Sequence, residues 1–224
     1  MNEFIYLTSL GRRAISIQII QSFSLLILNV STQTTLYFIF SNNFINQIIS
    51  QDYSKYDDEF IAYFINFIKS LSLKIDTTTI QFFFHEQYNS FPLIQSSMRF
   101  YNHSDSMIKT TVRNILLTFM KLGFNPISCY FTSLPSISYF PFLVCNLRDS
   151  IIKLNDESLS DDFKSLNDIN DDILDLILYF QDIFSLKNIK INNVLTNCIF
   201  YYLILPLLVG ALISLTKVYK HINY

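Results

Sequence analysis

Glycine is scarce in this sequence: only Gly11, Gly123 and Gly210 occur in 224 residues. Loops that hold a phosphate need several glycines close together, because backbone amides must approach the anion closely. The scarcity therefore excludes the common nucleotide-binding folds.

Charged residues are also few, at 15% of the chain, while hydrophobic residues make up 50%. Sixteen Lys and Arg stand against eighteen Asp and Glu, a net charge of -2. The sequence has no overall positive field to hold a polyanion, so we expect no nucleic-acid partner. Its hydrophobic content excludes disorder throughout, and its length suffices for one sizeable core or two small ones.

Cysteine is limited to Cys129, Cys145 and Cys198. An odd number of widely separated cysteines fits neither a disulfide framework nor a paired metal motif. We interpret them as buried free thiols in a reducing compartment.

Enzymatic motifs are missing as well. His85 and Glu86 begin a zinc-protease pattern, but Asn89 stands where the second histidine is needed. No serine, cysteine or lysine has a histidine and a carboxylate at a recognised motif spacing. We therefore expect no catalytic residue, no cofactor, no metal and no small-molecule substrate.

A calcium loop is similarly incomplete. Asp168, Asn170 and Asp172 have calcium-loop spacing, but Ile173 replaces the required glycine and Tyr179 the bidentate glutamate. A solvated acidic loop is the better interpretation, with docking of a basic partner as an alternative.

The clearest element present is an amphipathic helix that ends before Gly123. Ser104 is a plausible N-cap, and Asp105 adds negative charge to the first turn. Gly123 can adopt the left-handed conformation that ends a helix. Between these two ends, apolar residues recur at spacings of three and four along one stripe of the helix, which predicts a buried face. The stripe consists of Ile108, Val112, Ile115, Phe119 and Leu122.

Similar periodicity predicts helices along the rest of the chain, so the predicted fold class is all-α. The segment 77–84 could be a strand by composition, but we assign it to a short helix because no partner strand is in view. The remaining predicted helices cover residues 13–29, 34–40, 43–50, 57–74, 136–154 with a possible bend at Pro141, 169–184, 189–196 and 198–220.

An acidic stretch interrupts this pattern. Residues 155–175 contain eight acids against the single base Lys164, which is typical of a linker. We divide the chain into a helical domain over 13–154, an acidic loop over 155–168 and further helices over 169–224.

Two apolar runs leave alternatives open. Residues 198–216 carry no charge and are long enough to span a membrane, but a helix buried within a helical stack has the same composition. We favour the buried helix. The run 14–30 after Arg12 and Arg13 could be a signal or anchor, but Gln18 and Gln21 interrupt it.

Four stretches together resemble the FPL-domain family. They are LYFIFSNNFINQII from Leu36, DDEFIAYFINFIKSLSLKI from Asp57, QFFFHEQYNSFPL from Gln81 and MRFYNHSDSMIKTTVRNILL from Met98. Family members continue well beyond this length, so the resemblance implies either a reduced homologue or part of a longer product. It also implies an armadillo- or HEAT-like helical solenoid.

The resemblance implies structural rather than catalytic motif residues. Among them we expect Asp105 and Arg113 to pair between turns of a repeat. The full set is Phe91, Pro92, Leu93, Asn102, His103, Asp105, Ser106, Met107, Val112 and Arg113.

The function implied by the resemblance is that of a non-enzymatic scaffold in endolysosomal membrane trafficking and autophagy or mitophagy. Its expected partners are Rab-type small GTPases or ubiquitin ligase components. We expect a cytoplasmic protein, peripheral on endosomal, lysosomal or Golgi membranes. The alternative is an integral membrane protein anchored by residues 198–216.

Overall fold

The structure is a computed structural model that describes residues 12–53, 56–133, 136–157 and 163–222, together with residues 3 and 6. Helices form all regular elements of these residues apart from one antiparallel bridge between His85 and Ser90, which confirms the predicted all-α class. The chain divides into two compact units, Met1–Ile127 and Ser128–Tyr224. The solenoid type and the domain boundaries predicted from sequence stay predictions.

The first unit consists mainly of six α-helices and two short 3₁₀ turns. The predicted segment 77–84 contains one of these turns, Ile80–Phe83, and the other is Glu86–Tyr88. A further helix, α7 (Asn125–Phe131), runs across the division between the units. The six helices are α1 (Arg13–Asn29), α2 (Gln33–Ser41), α3 (Phe44–Ile49), α4 (Asp58–Ser72), α5 (Pro92–Met98) and α6 (Ser106–Lys121).

Helix α6 is the amphipathic helix predicted before Gly123. The prediction of Ser104 as its N-cap is wrong: Asp105 takes this place, and its Oδ1 accepts a hydrogen bond from the Met107 amide at 2.7 Å. Gly123 has φ +64°, which confirms the left-handed stop. Four members of the predicted stripe are buried and Leu122 is half-buried. The four are Ile108, Val112, Ile115 and Phe119.

Helices α1 and α4 lie side by side and parallel. At their N-terminal ends, Arg13 Nη2 lies 2.7 Å from Asp57 Oδ2. Near their C-terminal ends, Lys74 Nζ donates to the Val30 carbonyl at 2.9 Å. The two residues of each pair are 44 apart in sequence. The offset between α1 and α4 is therefore the same at both ends of the helices. The run over 14–30 is thus a packed helix of the first unit.

Other contacts repeat this interval. Ser96 Oγ donates to the Ile49 carbonyl at 2.7 Å across 47 residues, and Arg99 donates to the Gln51 carbonyl across 48. An interval of 44 to 48 residues is close to that of armadillo and HEAT repeats. This interval is consistent with the solenoid that the family resemblance implies, which stays a prediction.

The second unit is built on α8 (Tyr139–Glu157) and α9 (Phe163–Ser185), which follow a 3₁₀ turn at Ser136–Ser138. The buried hydroxyls of Tyr139 and Tyr179 lie 2.9 Å apart and join these two helices. The unit ends with α10 (Ile189–Cys198), a π-helical segment (Ile199–Ile204) and α11 (Leu205–Ile222).

Two details of the second unit differ from expectation. Much of the predicted acidic loop over 155–168 is helical, because α8 continues to Glu157 and α9 begins at Phe163. Residues 158–162 lie outside the described residues. Pro141 lies in the first turn of α8, where a proline removes no helical hydrogen bond, so it begins the helix and does not bend its interior.

Adjacent buried serines of α5 provide a test of the repeated contacts. Ser96 bonds across to Ile49, whereas Ser97 bonds to the Leu93 carbonyl of its own helix. We expect Ser96→Ala to lower the free energy of unfolding by about 1 kcal/mol, since the interhelical hydrogen bond is lost. Ser97→Ala should cost less than about 0.5 kcal/mol. Urea unfolding followed by circular dichroism measures both, and equal losses would contradict the special role of Ser96.

A second test concerns the turn before Ile80. The Asp76 carboxylate accepts hydrogen bonds from the amides of Thr78 and Thr79 and from both hydroxyls, which lowers its pKa to about 2. We expect Asp76→Ala to cost about 1 kcal/mol at pH 7. Because the folded pKa lies below the unfolded value of 3.8, this contribution holds above pH 3.8 and is lost as pH falls towards 2.

Urea unfolding of Asp76→Ala at a series of pH values measures this dependence. Thr77→Ala is the matched control, because Thr77 is exposed in the same turn. A cost of Asp76→Ala that stays constant down to pH 2 would show that the ionised carboxylate contributes nothing.

Candidate interaction surfaces

The apolar part of the predicted family motif lies in the core. Phe91, Leu93 and Val112 are fully buried, and the Phe91 ring stacks on Phe84 with centroids 5.0 Å apart. Pro92 is the first residue of α5, where its missing amide hydrogen has no cost. These residues therefore position helices and are closed to a ligand.

The polar part of the motif gathers at the N-terminal end of α6. His103 Nδ1 accepts from the Asp105 amide at 3.1 Å, and its Nε2 lies 3.4 Å from Asp58 Oδ1. Hence His103 connects the start of α6 with the start of α4. The other motif residues here are exposed: Asn102, Ser106 and Met107.

The expected pairing of Asp105 with Arg113 is wrong. No ion pair joins them among the described residues, because the Asp105 carboxylate caps its own helix. Arg113 lies two turns further along α6, half-buried, with an Nε that has no hydrogen-bond partner within the described parts of the chain. The family resemblance predicted the pair, but the Asp105 carboxylate instead accepts from the Met107 amide of its own helix.

A second charged group lies at the start of α1. Arg13 contacts both Asp57 and Glu59, and its hydrogen bonds lower the pKa of the Asp57 carboxyl. The side chains are about half exposed, so solvent screens the attraction. This group aligns two helices and is not arranged for acid–base chemistry.

The residue types that bind metals or carry thiols are widely distributed among the described residues. Within the described residues, no three His, Cys, Asp or Glu side chains are grouped to hold a metal ion. The calcium-like spacing from Asp168 to Asp172 lies within α9, and a regular helix cannot wrap its ligands around an ion. Of the free thiols, Cys198 is buried as expected, but Cys129 and Cys145 are only half-buried.

The last helical stretch begins with α10, which is packed within the second unit and which we call the base. Ile191, Leu195 and Cys198 of α10 are buried within the second unit. At the π-helical segment, Arg148 Nη1 of α8 lies 3.4 Å from the Tyr202 carbonyl oxygen. Pro206, four residues further on, has no amide hydrogen to donate to that oxygen.

Beyond this base, the helix is exposed. We call residues 204–213 the apolar arm: all are exposed except Leu207, which is half-buried. The helix Ile189–Ile213 is long and apolar enough to cross a membrane, and 6% of its most apolar 18-residue window is buried. A second candidate is the pair formed by Asn125–Phe131 and residues 136–156. Together they are long and apolar enough by the same test, but the pair is bent and would cross a membrane as a broken span.

The preference for a buried helix over 198–216 is therefore wrong for residues 204–213, whereas Cys198 at the start of that run is buried. An exposed surface of this kind is typical of a membrane or protein contact. Its large exposed side chains include Phe200, Tyr201, Tyr202, Ile204, Leu205, Leu208, Val209, Leu212 and Ile213.

Comparison with known proteins identifies the family of this chain. The FPL family model, described as an uncharacterised conserved protein, matches residues 1–120, more than half of the chain. The chain belongs to the FPL family. The match covers α1 to α5 and nearly all of α6, and so includes the stacked helices of the first unit.

Curated FPL-related sequences are similar over nearly the whole chain. Human protein CLEC16A is 33% identical over 221 residues, which are 94% of this chain and 21% of the relative. The Drosophila melanogaster CLEC16A homolog is 32% identical over 90% of the chain and 19% of its own length. Protein TRANSPARENT TESTA 9 of Arabidopsis thaliana is 28% identical over 96% and 27%.

The FPL chain thus spans about a fifth to a quarter of the length of these relatives. No solved structure matches it.

The exposure of the apolar arm predicts a contrast between leucines of the last helices. Leu208 and Leu212 are 58% and 62% exposed, whereas Leu195 is fully buried. We expect Leu208→Ser with Leu212→Ser to change the free energy of unfolding by less than about 0.5 kcal/mol. Leu195→Ser should lower it by about 3 kcal/mol or more. Urea unfolding tests this, and a large loss in the double variant would mean that the arm is packed.

Proposed function

We propose that this FPL-family chain is a non-enzymatic scaffold in endolysosomal membrane trafficking and autophagy, including mitophagy. It acts through protein contacts on the faces of its helices. The observation that carries the proposal is the apolar arm, an extended uncharged surface on a packed base. Membership of the FPL family supports the cellular role.

The partners that we propose are Rab-type small GTPases or ubiquitin ligase components, on the surface of endosomal, lysosomal or Golgi membranes. Helical faces suit such partners, because folded proteins dock on preformed surfaces through a few buried apolar anchors. Leu208, Val209 and Leu212 are exposed anchors of that kind.

A second candidate function is that of an integral membrane protein anchored by residues 198–216. Helix continues unbroken from Ile189 to Ile222, through the π-helical segment. Eighteen residues from Ile199 to Thr216 extend about 27 Å, close to the hydrocarbon thickness of a bilayer. Tyr201 and Tyr202 are exposed at one end, where aromatic side chains favour the membrane interface.

Alkaline carbonate washing of isolated membranes distinguishes the two candidates. For a peripheral scaffold we expect release of the chain into the supernatant, because its contacts are with proteins and lipid head groups. Retention in the pellet would contradict the peripheral scaffold and favour the anchor.

The paired Leu208→Ser, Leu212→Ser variant gives the matched control. Polar side chains in the middle of a span oppose insertion, so this variant should leave the pellet if the anchor is correct. For the peripheral scaffold, both forms should be released by carbonate, and the variant should associate less with membranes before the wash.

A further inference from the structure

Helix α9 presents two apolar faces, and one of them lies outside the core. Its first face packs within the second unit through Ile173, Leu176 and Ile183, all buried. On the second face, Leu174 is 48% and Leu178 57% exposed. We define the α9 outer face as Leu174, Ile177, Leu178 and Phe184, all exposed.

The outer face has the spacing of a helix-binding stripe. Leu174 and Leu178 are one turn apart, Ile177 lies between them, and Phe184 continues the stripe two turns after Ile177. Along the helix the face extends about 15 Å, or roughly three turns. The remaining positions that fall on it are the uncharged residues Asn170, Gln181 and Ser185.

One edge of this face is acidic. At 3.6 residues per turn, Asp171, Asp175 and Asp182 fall beside Leu178 in a single row, and all three are exposed. We call this row the acidic edge. From Leu166 to Ser185 the helix carries no basic residue, and the base in its first turn, Lys164, lies seven residues before Asp171.

We propose that the α9 outer face binds an amphipathic helix of a partner protein, with lysine or arginine residues along one border of its apolar stripe. Apolar anchors at i, i+3 or i+4 and i+7 of the partner cover the leucines, and its bases meet the acidic edge. This inference deepens the proposed scaffold by naming the chemistry of one partner, and it rests on the chain acting through protein contacts.

Charge selects this occupant over two others. An anionic membrane surface repels a row of three aspartates, so a lipid is a poor partner for this face. A second copy presents the same three aspartates, and their mutual repulsion opposes self-association through α9. A basic amphipathic helix satisfies both the apolar stripe and the charge.

The test uses the full chain and two synthetic helical peptides. Both have leucines at i, i+3, i+4 and i+7; one carries lysines at its polar positions and the other glutamates. Fluorescence anisotropy of the labelled peptides measures their affinities. We expect the lysine peptide to bind at least 10-fold more tightly than the glutamate peptide, and its binding to weaken as salt rises.

Two variants locate the binding surface. Leu174→Ser with Leu178→Ser should weaken lysine-peptide binding at least 10-fold, since the anchors are lost. Asp171→Asn, Asp175→Asn and Asp182→Asn together should weaken it several-fold and reduce its salt dependence. These side chains are exposed, so circular dichroism should show unchanged helix content.

Leucines elsewhere provide the matched controls. Leu25→Ser replaces a leucine that is 62% exposed on α1 in the first unit, and should bind like the wild type. The Leu208→Ser, Leu212→Ser variant should also retain binding, which separates the outer face from the apolar arm.

Several results would overturn the proposal. Equal affinities for the two peptides would remove the role of charge, and unchanged binding by the α9 leucine variant would remove the site. Loss of vesicle binding in that variant would assign the face to lipid, and a shift from dimer to monomer would assign it to self-association. The outcome of the peptide-binding test does not change the expected result of the carbonate wash. The two experiments therefore test the α9 partner and the proposed scaffold function separately.

Discussion

The packing of α1 along α4 is the contact on which the first unit depends. Both helices turn a row of isoleucines and phenylalanines towards the interior, and this apolar contact provides most of the stabilisation. Polar contacts at the two ends, Arg13 with Asp57 and Lys74 with Val30, then select the parallel alignment. A shift of one helical turn would break both end contacts, so the register is fixed at 44 residues.

The parallel packing of α1 and α4 leaves one side of each helix free of the other. When equivalent elements pack in parallel, each helix has one side towards its predecessor and another available to the next element. The second unit shows an available side on α9 and a longer apolar surface on the arm. In both places, apolar residues are accessible on a rigid helix, which lowers the entropy cost of binding.

Sequence patterns predicted the helices well because their determinants are local. Caps, apolar spacing and the stop at Gly123 act within one or two turns. Where two neighbouring residues can do the same task, as Ser104 and Asp105 can, the pattern could not choose between them. The contact between Ser96 and Ile49 could not be predicted, because Ser96 donates to a backbone carbonyl, and a carbonyl has no signature in sequence.

It was harder to predict from sequence which helix surfaces are buried and which are exposed. A buried helix and a membrane-contacting helix have the same apolar composition, so residues 198–216 could not reveal their environment. The apolar arm is exposed within the described residues and is accessible to another molecule. A photo-crosslinking amino acid in place of Leu208, activated in intact cells, tests it directly. We expect adducts with a lipid or another protein, and adducts confined to this chain itself would contradict the accessibility of the apolar arm.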